Sequence, residues 1–282
     1  MPVNPVVSDM DSEIKSHKSR VLCLTFDNLG EARNMFLKKS AVPDWEAPEI
    51  TIGFPQVLQL LDRLQIRATF FVEGWSALHY GAIIENIHNG GHEIGLHGWT
   101  HEHFASLDQR AARQSIHDGL KVLQLRGIQP FGFRAPGGKV GPFTRQILAD
   151  YDFIYDSSVE TALPKCLPND VSGFTGDKIQ QQENGLVCIS WQWFMVDAVH
   201  YRLADNGLSN PQLLSDYWCQ VIRNVAQTNG FVTLISHAHV TGTDPKRMAA
   251  LEKVLRLALA LGYEIVPAID LCTRGRDIST GD

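Results

Sequence analysis

VLCLTFD, residues 21–27, is a nearly unbroken apolar run that ends on an acid. A strand with one face in water alternates apolar and polar residues. A run that is apolar at successive positions reads instead as a strand covered on both faces, as in a parallel sheet flanked by helices. Seven similar runs follow: RATFFVEG (67–74), HEIGLHG (92–98), FGFRAPG (131–137), FIYDSS (153–158), LVCISW (186–191), FVTLISHAH (231–239) and YEIVPA (263–268).

Amphipathic segments lie between them. Val57, Leu58, Leu61 and Leu64 recur at helical spacing. Ser106 and Gln109 form a capping box ahead of a helix whose face is Ala112, Ile116, Leu120 and Leu123, and Gly127 closes it. Asn210–Pro211 and Asp244–Pro245 open two more helices, and Gly262 ends the second. Strand–helix alternation implies right-handed crossovers and a parallel sheet. About eight strands predict an α/β fold, a (β/α) barrel of seven or eight parallel strands in a single domain, with an open doubly wound sheet as the alternative. Residues 20–275 read as that domain, 1–19 as an N-terminal arm and 276–282 as a tail. The segments 28–53 and 160–184 are long loops, which in compact domains often carry function.

The 282 residues are 44% hydrophobic and 20% charged, with a formal charge of −6, so nothing suggests a nucleic-acid partner. No run is long enough for a membrane span. The polar N-terminus lacks the basic-then-apolar order of a secretory signal, and the expected location is cytoplasmic. Five scattered cysteines without a CxxC pair read as reduced thiols.

The chemistry-bearing residues fall at the ends of the strand-like runs. Asp27 ends the first, His97 the third, Arg134 lies in the fourth and His237 in the seventh, and Asp197 follows the sixth. Parallel strands would gather them at one mouth, where barrels place their active sites. Each also has an ordinary structural reading. His97 and His101 share a face, and can chelate a divalent ion, if the turn between them is helical. Asp27 can cap the next segment, and Arg134 can be a buried ion-pair partner. His237 and His239, two apart in a strand, face one side. Trp191 and Trp193 can be packing or the wall of a pocket. Together, five polar groups at five strand ends are costly to bury without a purpose.

In this order the stretches TFDN (25–28), HGWTH (97–101), RAPGG (134–138), WQWFMVD (191–197) and LISH (234–237) resemble the polysaccharide deacetylase family, carbohydrate esterase family 4. The resemblance implies a distorted β/α barrel that hydrolyses a non-peptide C–N bond. It matches Asp27 to the general base and Arg134 to the cation paired with it. It matches His237 to the general acid and Asp197 to the group that orients its ring. His97 and His101 match two of three ligands of zinc or another divalent metal. The third position, a second Asp in the family, is Asn28, whose amide oxygen brings no charge. Gly137 stands where many members carry an aromatic beside the oxyanion site, and its N–H can serve there. HGWTHE and ISWQWFMVDAVHY also resemble the intracellular, allantoinase-like branch, which implies a small-molecule or carbohydrate-like substrate and a homo-oligomer. Trp191, Trp193 and His239 are then substrate-binding candidates, and the 28–53 loop, with Pro43 and Trp45, is a candidate lid. Two other readings stay open: metal-independent acid–base chemistry run by Asp27 and His237, and a non-catalytic binding relic.

Overall fold

The computed structural model describes residues 20–39 and 42–272; the expected arm and the expected tail lie outside them. Nine strands form one sheet among the described residues: β1 Val21–Asp27, β2 Thr69–Val72, β3 Glu93–Leu96, β4 Gly132–Phe133, β5 Tyr155–Asp156, β6 Ile179–Gln181, β7 Val187–Ile189, β8 Phe231–Ser236 and β9 Glu264–Val266. They run in the order β6-β7-β5-β4-β3-β2-β1-β8, and β9 pairs with the start of β1. Every pairing is parallel except β6 with β7. All eight expected runs supply a strand. The ninth, β6, lies in the segment expected to be loop, because its residues are largely exposed at a sheet edge and carry no apolar signal.

The sheet curls into a distorted (β/α) half-barrel. Its open side, between β8 and the β6–β7 hairpin, is laced rather than laddered. Asp177 N–H donates to Phe231 O at 2.8 Å, the Asp177 carboxylate accepts Thr233 N–H at 2.7 Å, and Val196 bridges Ile235. β1 pairs with β2, β8 and β9 and is buried along all seven residues, as its nearly unbroken apolar run requires.

Helices α1 Ala32–Phe36, α2 Phe54–Leu64, α3 Gly74–His79, α4 Gly81–Asn89, α5 Gln109–Leu125, α6 Thr144–Asp150, α7 Pro211–Ala226 and α8 Pro245–Ala260 surround the sheet. Asn210 and Asp244 cap α7 and α8 as expected, each accepting two backbone N–H groups. The expected cap of α5 moves: Asp108, not Ser106, accepts Ala111 N–H, and Ser106 is held in a short 3₁₀ turn. Asp108 lies three residues before that donor, the spacing a cap requires.

Candidate active site

The C-terminal ends of the strands open into a cavity of about 290 Å³. Asp27, Asn28, His97, His101, Gly137, Trp191, Trp193, His237 and His239 all line it, so every expected site residue except Arg134 and Asp197 reaches one space. Those two lie behind the wall as supports. Arg134 is 1% exposed and donates from Nη1 to Asp27 Oδ1 and Thr25 Oγ1, each at 2.7 Å. Its Nε and Nη2 are held by Ser157, and the guanidinium lies 4.3 Å from the centre of the Phe71 ring. Five donors fixed in a plane suit such a clamp.

Asp197 is fully buried and saturated. It accepts the backbone N–H of Ala198 and of His237, the Thr241 hydroxyl at 2.6 Å, and His237 Nδ1–H at 2.6 Å. Burial opposes charge on both partners, but the charge of each and the hydrogen bonds between them win. His237 titrates above the usual histidine range and Asp197 below the usual carboxylate range. With Nδ1 committed, the His237 proton available to a ligand is on Nε2.

His97 and His101 meet, though not across a helical turn. The chain between them bends without helix, and His101 sits at φ 71°. Their rings are 5.2 Å apart. His97 Nδ1–H donates to Arg134 O at 2.8 Å, which leaves the Nε2 lone pair free. Burial pushes His97 down to about 3 and His101 well below the usual range, so both imidazoles are neutral, as metal ligation requires. His237 and His239 do not share a strand face either. β8 stops at Ser236, and Ala238–Gly242 is a π-type turn.

Glu73 escaped the sequence reading. It ends the run RATFFVEG, the same strand-end position that singled out Asp27 and His97. Gly74 and Trp75 donate their backbone N–H groups to Gly98 O and Trp99 O, which locks the β2–α3 corner to the HGWTH turn. The Glu73 carboxylate thereby lies within 4.8 Å of ligand atoms of both His97 and His101. It is 1% exposed, accepts Leu29 N–H at 3.1 Å, and burial raises it well above the usual range.

A divalent metal fits this donor set. Two neutral imidazoles and a carboxylate suit zinc and its neighbours. Asn28 Oδ1 and His101 Nδ1 are both buried without a hydrogen-bond partner, a cost that a bound cation would relieve. Asn28 sits at φ 68°, where Asn is tolerated, and its N–H donates to Phe71 O.

RAPGG forms the opposite wall. Gly138 N–H closes a turn on Ala135 O with Pro136 and Gly137 at its corners, and Gly137 has φ 68°. Gly137 N–H has no acceptor among the described residues. A Cβ on Gly138 would lie 2.8 Å from the Trp191 ring, so glycine is required for the turn to pack. The 28–53 segment contributes Arg33 to the cavity, while Trp45 packs on Tyr80 instead. Arg33, His103 and Arg202 are further cavity residues that carried no sequence signal.

One mouth of a distorted parallel half-barrel thus gathers an arginine-clamped aspartate, an aspartate-backed histidine and three side chains that could hold a metal ion. The polysaccharide deacetylase family model matches residues 14–155, and the chain belongs to that family. A peptidoglycan deacetylase-like protein of Gibberella zeae is 32% identical over 188 residues, 59% of this chain and 56% of that protein. The match to curated relatives such as this one, a peptidoglycan deacetylase of Helicobacter pylori and a peptidoglycan-N-acetylglucosamine deacetylase of Bacillus cereus spans 37–58% of their length. A structure from Mycobacterium smegmatis assigned as a polysaccharide deacetylase superposes with a TM-score of 0.77 at 22% identity, covering 100% of this chain and 96% of that one. The Puue allantoinase structure gives 0.73 at 18%, covering 92% and 91%. At these identities the structural likeness is one of fold.

Proposed function

We propose that this protein hydrolyses a non-peptide C–N bond, in an acetamido group or a cyclic amide, of a small or carbohydrate-like substrate. The observation that carries the reading is that Asp27 and His237 face one cavity, each backed by its own buried partner of opposite charge. Amide hydrolysis needs a base for the attacking water and an acid for the departing nitrogen. Asp27 takes the water proton, while Arg134 fixes the carboxylate in place. His237 gives its Nε2 proton to the nitrogen, and Asp197 steadies the imidazolium. Gly137 N–H would donate a hydrogen bond to the developing oxyanion. Trp191, Trp193 and His239 shape the substrate's seat.

His97, His101 and Glu73, with Asn28 as an added oxygen donor, would hold zinc or another divalent metal. When bound, such an ion supplies Lewis acidity to the carbonyl and the attacking water. A cavity of about 290 Å³ is at the small end for ligand pockets, which favours one small molecule over a run of polymer. A cytoplasmic homo-oligomer goes with that reading.

The test is a screen of acetylated amino sugars, cyclic ureides and imides with wild-type and Asp27→Asn protein. Saturable hydrolysis that the substitution abolishes is expected. No turnover of any member by the metal-loaded wild type would overturn the reading.

A further inference from the structure

Two arginines line the cavity beside the acid–base pair: Arg33 from α1 and Arg202 from the π-type turn Val199–Leu203. Arg202 Nη2–H donates to His239 O at 3.1 Å, and both guanidinium charges act on the His239 ring, which lines the same cavity. Neither has a carboxylate within 4.0 Å among the described residues. Among the described residues Asp27 is the one carboxylate lining the cavity, and its charge is met by Arg134. Glu49 feels the Arg202 charge but does not line the cavity, and one of its oxygens accepts Gly30 N–H at 2.8 Å.

The chain as a whole carries −6, so this local excess of positive charge runs against the net sign. Leu163 and Leu203 give the same cavity apolar surface beside the two cations, at its solvent-facing rim. Guanidinium groups favour planar oxyanions and bind them through paired N–H groups. We infer that the substrate carries an oxyanion, a carboxylate or a phosphate, which Arg33 and Arg202 hold while the scissile amide lies between Asp27 and His237. This rests on the hydrolase reading above.

The experiment measures binding, which separates it from turnover. Asp27→Asn protein is titrated calorimetrically with N-acetylglucosamine, N-acetylmuramic acid and N-acetylglucosamine 6-phosphate, which differ in carrying no acid, a carboxylate or a phosphate. Hydantoin and hydantoin-5-acetic acid make the same comparison for cyclic amides. His237→Ala protein is the second background, should Asp27→Asn fail to fold. At least one oxyanion ligand is expected to bind ~10-fold or more tighter than its neutral partner, as a charged hydrogen bond is worth. Whichever acid wins identifies the group. Arg33→Gln with Arg202→Gln should bring that ratio towards one. Equal affinity for neutral and acidic forms overturns the inference, as does a ratio that survives the double substitution or no measurable binding of any acidic form. Failure of the wild type to hydrolyse these compounds would strike the hydrolase reading and leave the ratio to be judged by itself.

Discussion

His237 Nδ1 lies 2.6 Å from Asp197 Oδ1, and the other oxygen of the same carboxylate accepts the His237 backbone N–H. One buried acid thus sets both the ring and the main chain of the histidine. The pair raises the pH at which His237 loses its proton. A general acid works in its protonated form, so activity should fall on the alkaline side as that proton is lost.

Asp197→Asn removes the charge and keeps the shape. The His237 titration should drop, moving the alkaline limb of kcat/KM to lower pH. Asp197 accepts four hydrogen bonds, and an amide cannot accept them all, so about 1–3 kcal/mol of stability should be lost as well. A pH–rate profile with an unmoved alkaline limb would refute the role given to Asp197.

Asp27→Asn should abolish turnover and leave ligand affinity within about an order of magnitude. The same change breaks a buried ion pair with Arg134, whose side chain is 1% exposed. Removing one partner of such a pair costs about 3–5 kcal/mol, and the guanidinium's bonds to Thr25 and Ser157 should keep the loss at the lower end. Chemical denaturation checks this, and unchanged turnover would sink the base assignment.

Much of this site was legible in the sequence because strands buried on both faces announce themselves as apolar runs, and a charged residue at the end of such a run is conspicuous. Asp27, His97 and His237 were found that way. Glu73 ends a run by the same rule and was passed over. The family resemblance placed the third ligand at Asn28, where the family carries its second Asp. The geometry between those histidines was not legible. The helical turn that spacing suggested is replaced by a bend with His101 at positive φ. β6 gave no signal because an exposed edge strand has little apolar character to read.

Glu73 and Asn28 make opposite predictions for metal binding. Removing the Glu73 charge by Glu73→Gln should weaken metal affinity by about 10-fold or more, while Asn28→Asp, which adds a carboxylate, should strengthen it. The readouts are metal content by elemental analysis after dialysis and the rise in melting temperature on adding Zn²⁺ to chelator-treated protein, which grows with affinity. An equal thermal shift in wild-type and Glu73→Gln protein would remove Glu73 from the ligand set. A shift lost in Asn28→Ala alone would return the third position to Asn28.

Asp177 makes stability depend on pH at the seam of the barrel. Its carboxylate accepts Thr233 N–H at 2.7 Å and Gln192 Nε2–H at 3.2 Å, joining the approach to β6 with β8. Burial raises it to about 7 despite those bonds. A carboxyl whose folded-state value is raised contributes stability fully present below its unfolded value, near 3.8, and lost as pH rises towards 7. The full shift corresponds to about 4 kcal/mol. Asp177→Asn keeps an acceptor for Thr233 and removes the titration. Wild type should therefore lose stability relative to Asp177→Asn between pH 4 and 7, with the two curves parallel above about 8. Denaturant midpoints at pH 4.5, 5.5, 6.5 and 8 would show this, and parallel curves over the whole range would mean that Asp177 is not the group that titrates.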